Sequence, residues 1–324
     1  MKFSVALCTY NGGRYVGEQL DSIAAQTRQP DELIICDDRS TDETVRVVEE
    51  FAKSAGFGVR LYVNGRNLGS TKNFERAIGL CGGELIALAD QDDVWLPGKL
   101  ERLEQEFERD PCAGLVFSDA EVVDERLRPS GRRLFDMVGF GEAQRRLLRR
   151  GRALDVILPG WTVTGATMAF DARFKGLILE IPEDLPMIHD GWIALVIAAV
   201  APVAFVAEPL IKYRQHAGQQ LGAPKMKAAD EGAGLRAPPS RADSYGWLME
   251  NAARLHERLA SRRGLFEVEA ALAGLEARAQ HIRARAEMPA RRLRRLKCIL
   301  KELRTRRYHA YSSGWHSALK DLIA

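Results

Sequence analysis

The residues Leu85–Trp95 read LIALADQDDVW, an apolar run that stops on Asp90, Asp92 and Asp93. Three carboxylates within four residues repel one another, and carboxylates are seldom buried unless paired or bound to a metal. Hard divalent cations such as Mg²⁺ or Mn²⁺ take oxygen ligands, often one or two carboxylates together with a substrate's phosphates. Acidic residues at a strand tip suit the grip of a metal–diphosphate complex. The plainer reading is an acidic turn ahead of a helix opened by Pro97, where Asp is mildly favourable.

Three further stretches hold residue types fit for chemistry. CDDRSTDET at 36–44 ends another apolar run on Asp37 and Asp38, where a carboxylate can accept the N3–H of a uracil or thymine ring. Ser40, Thr41 or Asp42 there can instead cap a helix. MIHDGW at 187–192 sets Asp190 just ahead of an uncharged segment. That position suits a helix N-cap, and partial desolvation also suits a general base. YRQHAGQ at 213–219 holds His216, a candidate partner for metal or phosphate. TYNGGRY at 9–15 is neither GxGxxG nor GxxxxGK[ST], which disfavours a dinucleotide site or a P-loop. GxSxG and HExxH are also absent.

The elements that must position these residues follow from periodicity. Apolar runs at 3–7, 33–36, 59–63, 85–89 and 114–119 read as strands. Between them, helical spacing recurs over 15–26, around Val45, Val48 and Phe51, over 73–80, and at Leu100, Leu103 and Phe107. Alternating strands and helices predict a mostly parallel sheet covered on both faces, with ligands beyond the carboxyl ends of its strands. TYNGG, CDDRSTD, DQDD and SDAE all fall at such ends. After residue 120 the alternation weakens to a strand at 165–170, a helix at 191–199 and a strand at 203–206. Residues 191–207 are uncharged for 17 positions, but Pro202 interrupts them, so a buried helix and strand are expected before a membrane span.

Composition bounds the class. With 46% hydrophobic and 28% charged residues in 324, this is a globular chain, and a net charge of +3 implies no nucleic-acid partner. Five cysteines without a CxxC pair fit a reducing, cytoplasmic setting. MKFSVALCTYNGG reads as a first strand and not as a signal peptide. The expected organisation is a catalytic domain at 1–222, a Gly-, Ala- and Pro-rich loop or linker at 223–243, and a helical, basic region at 244–324.

Taken together, SVALCTYNGGRYVGEQLDSIAAQT, IICDDRSTDET, NLGSTKNFERAI, GELIALADQDDVW, VTGATMAF, MIHDGW and YRQHAGQ resemble glycosyltransferase family two. The likeness spans about residues 1–220 and is nearest in flavour to the rhamnosyltransferase-like branch of bacterial surface-polysaccharide synthesis. It implies the GT-A nucleotide-sugar fold, a dTDP- or UDP-sugar donor, a Mg²⁺ or Mn²⁺ ion, and inverting transfer to a glycan or lipid-linked saccharide. Thr9, Asn11 and Asp38 match positions that hold the base and ribose. Asp90 and Asp92 match the DxD motif that contacts ribose and metal, and Asp93 shares the metal or replaces Asp92. Asp190 matches the general base, and His216 lies in a loop that closes over the donor in relatives. The base motif reads HD here, where many relatives have ED.

Between Arg291 and Arg307 the chain carries nine Lys or Arg and one Glu, with Leu293, Leu296, Leu300 and Leu303 at helical spacing. A basic amphipathic helix of this kind suits an anionic membrane surface, which predicts peripheral attachment. Nucleic-acid binding is disfavoured, because no aromatic residues interleave with the charges. Two rival readings remain. A nucleotidyltransferase needs a glycine-rich basic loop for a triphosphate, and this chain offers only Gly12, Gly13 and Arg14. An inactive sugar-nucleotide-binding or scaffold subunit would be free to lose DQDD or Asp190, and both are present.

Overall fold

The structure is a computed structural model that describes residues 1–160, 162–184, 187–219, 241–289 and 291–323. It divides into two compact units, Met1–Met226 and Lys227–Ala324. Most of the linker expected at 223–243 falls at 220–240, outside the described residues.

The first unit opens with β1 (Phe3–Thr9), α1 (Val16–Ala24), β2 (Glu32–Asp37), α2 (Thr44–Ala52), β3 (Gly58–Val63), α3 (Ser70–Leu80) and β4 (Leu85–Asp90). It continues through β5 (Val94–Trp95), α4 (Lys99–Arg109), β6 (Leu115–Val123), β7 (Pro129–Arg133), α5 (Leu134–Met137), α6 (Glu142–Arg149) and α7 (Ala153–Ile157). It closes with β8 (Met168–Asp171), α8 (Lys175–Ile178), α9 (His189–Val200) and β9 (Val203–Arg214). The second unit contains α10 (Arg241–Ser261), α11 (Glu269–Ala286), α12 (Arg292–Arg304), α13 (Arg307–Tyr311) and α14 (Trp315–Ile323).

Among the described residues the strands form one sheet in the order β3-β2-β1-β4-β8-β6-β9-β5, with β7 beside β6. The first four pair in parallel, as the alternation predicts. Beyond β4 the sheet is mixed, adding antiparallel strands to the parallel part. The crossover through α4 carries the chain two places out, to β6, and β8 later fills the gap antiparallel to both neighbours. Strand β9 then runs parallel to β6, and the short β5 pairs antiparallel with β9. Both faces of β1, β2 and β4 are buried, and Phe3, Leu7, Leu20, Ile35 and Leu103 belong to one core.

The uncharged 191–207 segment resolves into α9 and the start of β9. Trp192 and Ile193 to Ile197 are buried, and the indole of Trp192 donates to the Ile178 carbonyl at 3.0 Å. Gly114 at the edge of β6 lets α9 approach, since a Cβ there would lie 2.6 Å from Ile197 Cγ2. Each buried aliphatic side chain of this helix contributes about 1.5–3 kcal/mol, which explains its uniform apolarity without a bilayer. Among the described residues, no helix is long and apolar enough to cross a membrane. Of the expected caps on α2, Asp42 serves the helix start, although the N-cap position itself falls on Glu43. Ser40 turns back to Asp37 and leaves Asp42 Oδ1 to accept from Thr44 N at the start of α2.

Candidate active site

Strands β1, β2 and β4 end together on Thr9, Asp37 and Asp90, in a register that pairs Thr9 with Asp37 and Cys8 with Asp90. Parallel strands fed by crossover helices bring all their carboxyl ends to one edge, where ligands bind. A cavity of about 530 Å³ opens there, lined by Thr9, Asp38, Asp90, Asp92, Thr164 and Asp190 among others. Residues spread over more than half the chain thus share one wall.

At the ends of β1 and β2, the Thr9 hydroxyl donates to Asp37 Oδ2 at 2.7 Å, and Asp37 also accepts from Ser40. Asp38 accepts from Asn64 Nδ2 and from the backbone N–H groups of Leu68 and Gly69, at 2.7–2.8 Å. It therefore holds the turn into α3, where Gly69 has φ +79°. A carboxylate has about four lone-pair sites, so one on Oδ2 stays open to a further donor. Asn11 is placed differently. Its side-chain oxygen accepts from Thr41 N at 2.8 Å, its own N–H donates to Ser40, and it is not among the residues lining the cavity.

The three aspartates of DQDD separate. Asp90 lines the cavity, and burial, followed by the charges of Asp92 and Asp190, raises its pKa to about 7. Asp92 also lines the cavity, and its Oδ2 lies 2.8 Å from His216 Nε2. Asp93 is only 1% exposed and is absent from the cavity wall. Its Oδ1 accepts from Arg214 N at 2.9 Å, and its Oδ2 is buried without a hydrogen-bond partner. Burial, then Asp92 and Asp90, push its pKa up. This geometry does not support the expectation that Asp93 shares a metal with Asp92 and His216 or replaces Asp92 as its ligand, because Asp93 stands outside the cavity that Asp92 lines. Both residues lie in the turn between β4 and β5, where the hydrogen bond from Arg214 N draws Asp93 inward while Asp92 faces the cavity. Among the described residues, no group of three or more His, Cys, Asp or Glu side chains is arranged to hold a metal ion.

Asp190, expected as the cap of α9, is not its N-cap; that position falls on Ile188, and Asp190 sits two residues further on, in the first turn. Its Oδ2 accepts from Gly165 N at 3.0 Å and its Oδ1 from Gly191 N at 2.6 Å. Glycine at 165 eases this approach, because a Cβ would stand a tight 3.3 Å from both Asp190 Cβ and His189 Nε2. The preceding His189 is 3% exposed and stacks on Phe74 with ring centroids 4.0 Å apart. Both its ring nitrogens are buried without a hydrogen-bond partner. Burial holds its pKa below the ordinary value, against the opposing charge of Asp190.

Three supporting residues were not legible as part of the site. Lys99 is fully buried on α4, donates to the Ala166 carbonyl at 2.6 Å and lies 3.7 Å from the Trp95 ring centroid. Burial pulls its pKa down to about 7, while Asp93 and Asp90 act in the other direction. Arg214, 1% exposed, binds the carbonyls of Asp92 and Glu125 at 2.6 and 2.7 Å and also reaches Glu18. The Gln91 side chain pairs with both backbone groups of Tyr10, fastening the DQDD turn to the loop after β1. A faint signal existed for Lys99 and Arg214, since each is a charged residue inside an otherwise inward-facing pattern.

Comparison with known proteins follows the same lines. In fold, the chain is similar to the S. aureus TarS fragment 1–349 solved in complex with UDP-GlcNAc, with a TM-score of 0.58. That likeness covers 100% of this chain and 88% of the other, at 18% identity. In sequence it is 28% identical to the dTDP-rhamnosyl transferase RfbG of Shigella flexneri over 67% of this chain and 74% of that protein. It is 32% identical to an uncharacterized glycosyltransferase of Nostoc, alr2836, over 38% of each. The chain therefore spans well under half the length of the Nostoc relative. Residues 4–170, which carry β1 through β8 and the DQDD turn, match the description Glycosyl transferase family 2. With over half its length inside that match, the chain belongs to glycosyl transferase family 2.

Proposed function

We propose that the chain moves a sugar from a dTDP- or UDP-linked donor to a hydroxyl of a glycan or lipid-linked saccharide, with inversion at the anomeric carbon. One observation carries the reading: strand-end carboxylates Asp90 and Asp92 and the α9 carboxylate Asp190 line the same cavity. Thr9 and Asp38, which line the same cavity, suit the base and ribose. RfbG, by its name a dTDP-rhamnosyl transferase, favours dTDP-rhamnose among donors.

Whether the residues suit a divalent cation is a question of charge and oxygen supply. Burial, and after it the charges of Asp92 and Asp190, push the pKa of Asp90 up, and a cation beside these carboxylates would relieve both the desolvation and the repulsion. Mg²⁺ commonly binds through one or two carboxylates plus substrate phosphates, so a closed protein cage is unnecessary. Asp90 and Asp92 would hold it, with His216 orienting Asp92. Such an ion, when bound with the diphosphate, supplies Lewis-acid stabilisation of charge on the departing nucleotide.

The remaining chemistry belongs to the chain. Gly165 N–H and Gly191 N–H fix the Asp190 carboxylate and leave lone pairs on both oxygens for the acceptor hydroxyl. Asp190 takes that proton as the acceptor oxygen attacks the anomeric carbon from the face opposite the nucleotide. A single displacement inverts the configuration and needs no glycosyl–enzyme intermediate.

A thermal-shift series with dTDP, UDP and GDP, each with Mn²⁺ or with EDTA, tests the reading. The expected result is stabilisation by dTDP or UDP that EDTA abolishes and Asp92→Ala removes. Tight binding by Asp92→Ala that still responds to EDTA would move the metal to other residues.

A further inference from the structure

Helices α12 and α14 pack together around a small core of Ile299, Tyr308 and Ala318, flanked by Met288, Leu303 and Leu322. Outside that core, α14 leaves Trp315, Leu319 and Ile323 exposed by 68%, 56% and 63%. Their four-residue spacing puts them on one stripe. On α12, Leu296 and Leu300 are likewise exposed, one turn apart. Leu303, expected in that stripe, joins the core instead, and the side chain of Leu293 lies outside those described.

The charges of this region are sorted by depth. Glu302 and Asp321 are the only acidic residues after Glu287, and they are 2% and 1% exposed. Glu302 binds His281 at 2.8 Å and Arg307 at 3.2 Å. Asp321 binds Arg285 at 2.6 Å and Tyr308 at 2.7 Å. Both carboxylates are spent inside the unit. The exposed Lys and Arg side chains of the two helices are Arg292, Arg294, Lys297, Lys301, Arg304 and Lys320, and no exposed carboxylate stands among them.

We infer that this face docks on an anionic lipid surface. Exposed tryptophan and aliphatic residues on two packed helices whose exposed charges are all Lys and Arg have the composition of interfacial helices, with long basic side chains reaching headgroups as the apolar residues enter the acyl boundary. An apolar face alone would suit a second copy of the chain equally well. The single sign of charge decides against that occupant, because two such faces would bring like charges together, whereas anionic lipids supply the complement. Apolar exposure on this scale, ringed by charge, marks an interaction site more often than bare surface. The inference stands on the second unit alone and is independent of the proposed reaction.

The test is co-sedimentation of the full chain with vesicles of phosphatidylcholine alone, or of phosphatidylcholine and phosphatidylglycerol in equal parts. Binding is expected to the anionic vesicles, to fall about tenfold or more in Trp315→Ser/Leu319→Ser and in Lys297→Glu/Lys301→Glu, and to weaken with salt. Thermal unfolding of each variant separates loss of the face from loss of the fold. Equal binding to neutral vesicles, or undiminished binding by both folded variants, would overturn the inference. So would self-association at sedimentation equilibrium that Trp315→Ser abolishes, or retention on a soluble polyanion with no vesicle binding.

Discussion

Two buried polar clusters, one in each unit, use the same residue types in opposite ways. In the second unit, His281 bridges Glu302 and Ser312, and Arg285 meets Asp321 and Ser312, with Tyr308 also on Asp321. Each group named has its partner. In the first unit, Asp93 Oδ2 and both nitrogens of His189 are buried without one, and Asp90, Asp92 and Asp190 crowd their charges toward one cavity. An unmet buried polar group costs about 1–3 kcal/mol, so a fold retains it only where something else holds it in place. Satisfied networks fix architecture. Carboxylates held against repulsion are where binding of a cation and a diphosphate has the most to gain.

The largest effect should come from the active-site side of this comparison. Asp190→Asn keeps the side-chain shape and one of the two hydrogen bonds accepted from Gly165 N and Gly191 N but removes the proposed base, so product formation should fall about 10²- to 10⁴-fold with donor affinity little changed. Calorimetry of donor binding beside a turnover assay checks it. Loss of both would make Asp190 structural, and loss of neither would send the search for a base to Asp119 or Glu121, on β6.

The next effect belongs to the satisfied cluster. Arg285→Met leaves Asp321 buried without its cation, which should cost about 3–5 kcal/mol of stability in the second unit. Differential scanning calorimetry reads the loss, and the Kd for nucleoside diphosphate in the first unit should not move. A variant that lost donor binding but kept its melting temperature would erase the distinction between the two clusters.

The smallest effect is a pH dependence. Asp90, raised to about 7 from an ordinary 3.8, keeps its proton in the folded chain where the unfolded chain has lost it. Its contribution to stability is therefore present below the unfolded value and is lost as pH rises through 7. Metal-dependent diphosphate binding runs the other way, because the cation displaces that proton, so affinity should rise across neutrality by at most about tenfold per pH unit. Titration calorimetry over a pH series measures the slope, and Asp90→Asn should flatten it. A slope that survives Asp90→Asn would assign the proton elsewhere.

Much of this protein is written locally in its sequence. The period of apolar residues sets β1 to β4 and the helices between them, and polar residues at each strand end announce where a ligand must lie. Asp90, Asp92 and Asp190 could be singled out because carboxylates next to apolar runs need an external reason to be there. Other features depend on contacts between residues far apart. The antiparallel entry of β8 follows from where a long excursion returns to the sheet. The inward turn of Asp93 follows from the hydrogen bond its carboxylate accepts from Arg214 N, 121 residues away. The roles of Lys99 and Gln91 depend on Ala166 and Tyr10, and no window of sequence contains both members of either pair. The last helices show the same division. Composition made 291–307 basic, but only packing could turn Glu302 and Asp321 inward and leave Trp315 outside, because which face of a short helix is buried is decided by its neighbours.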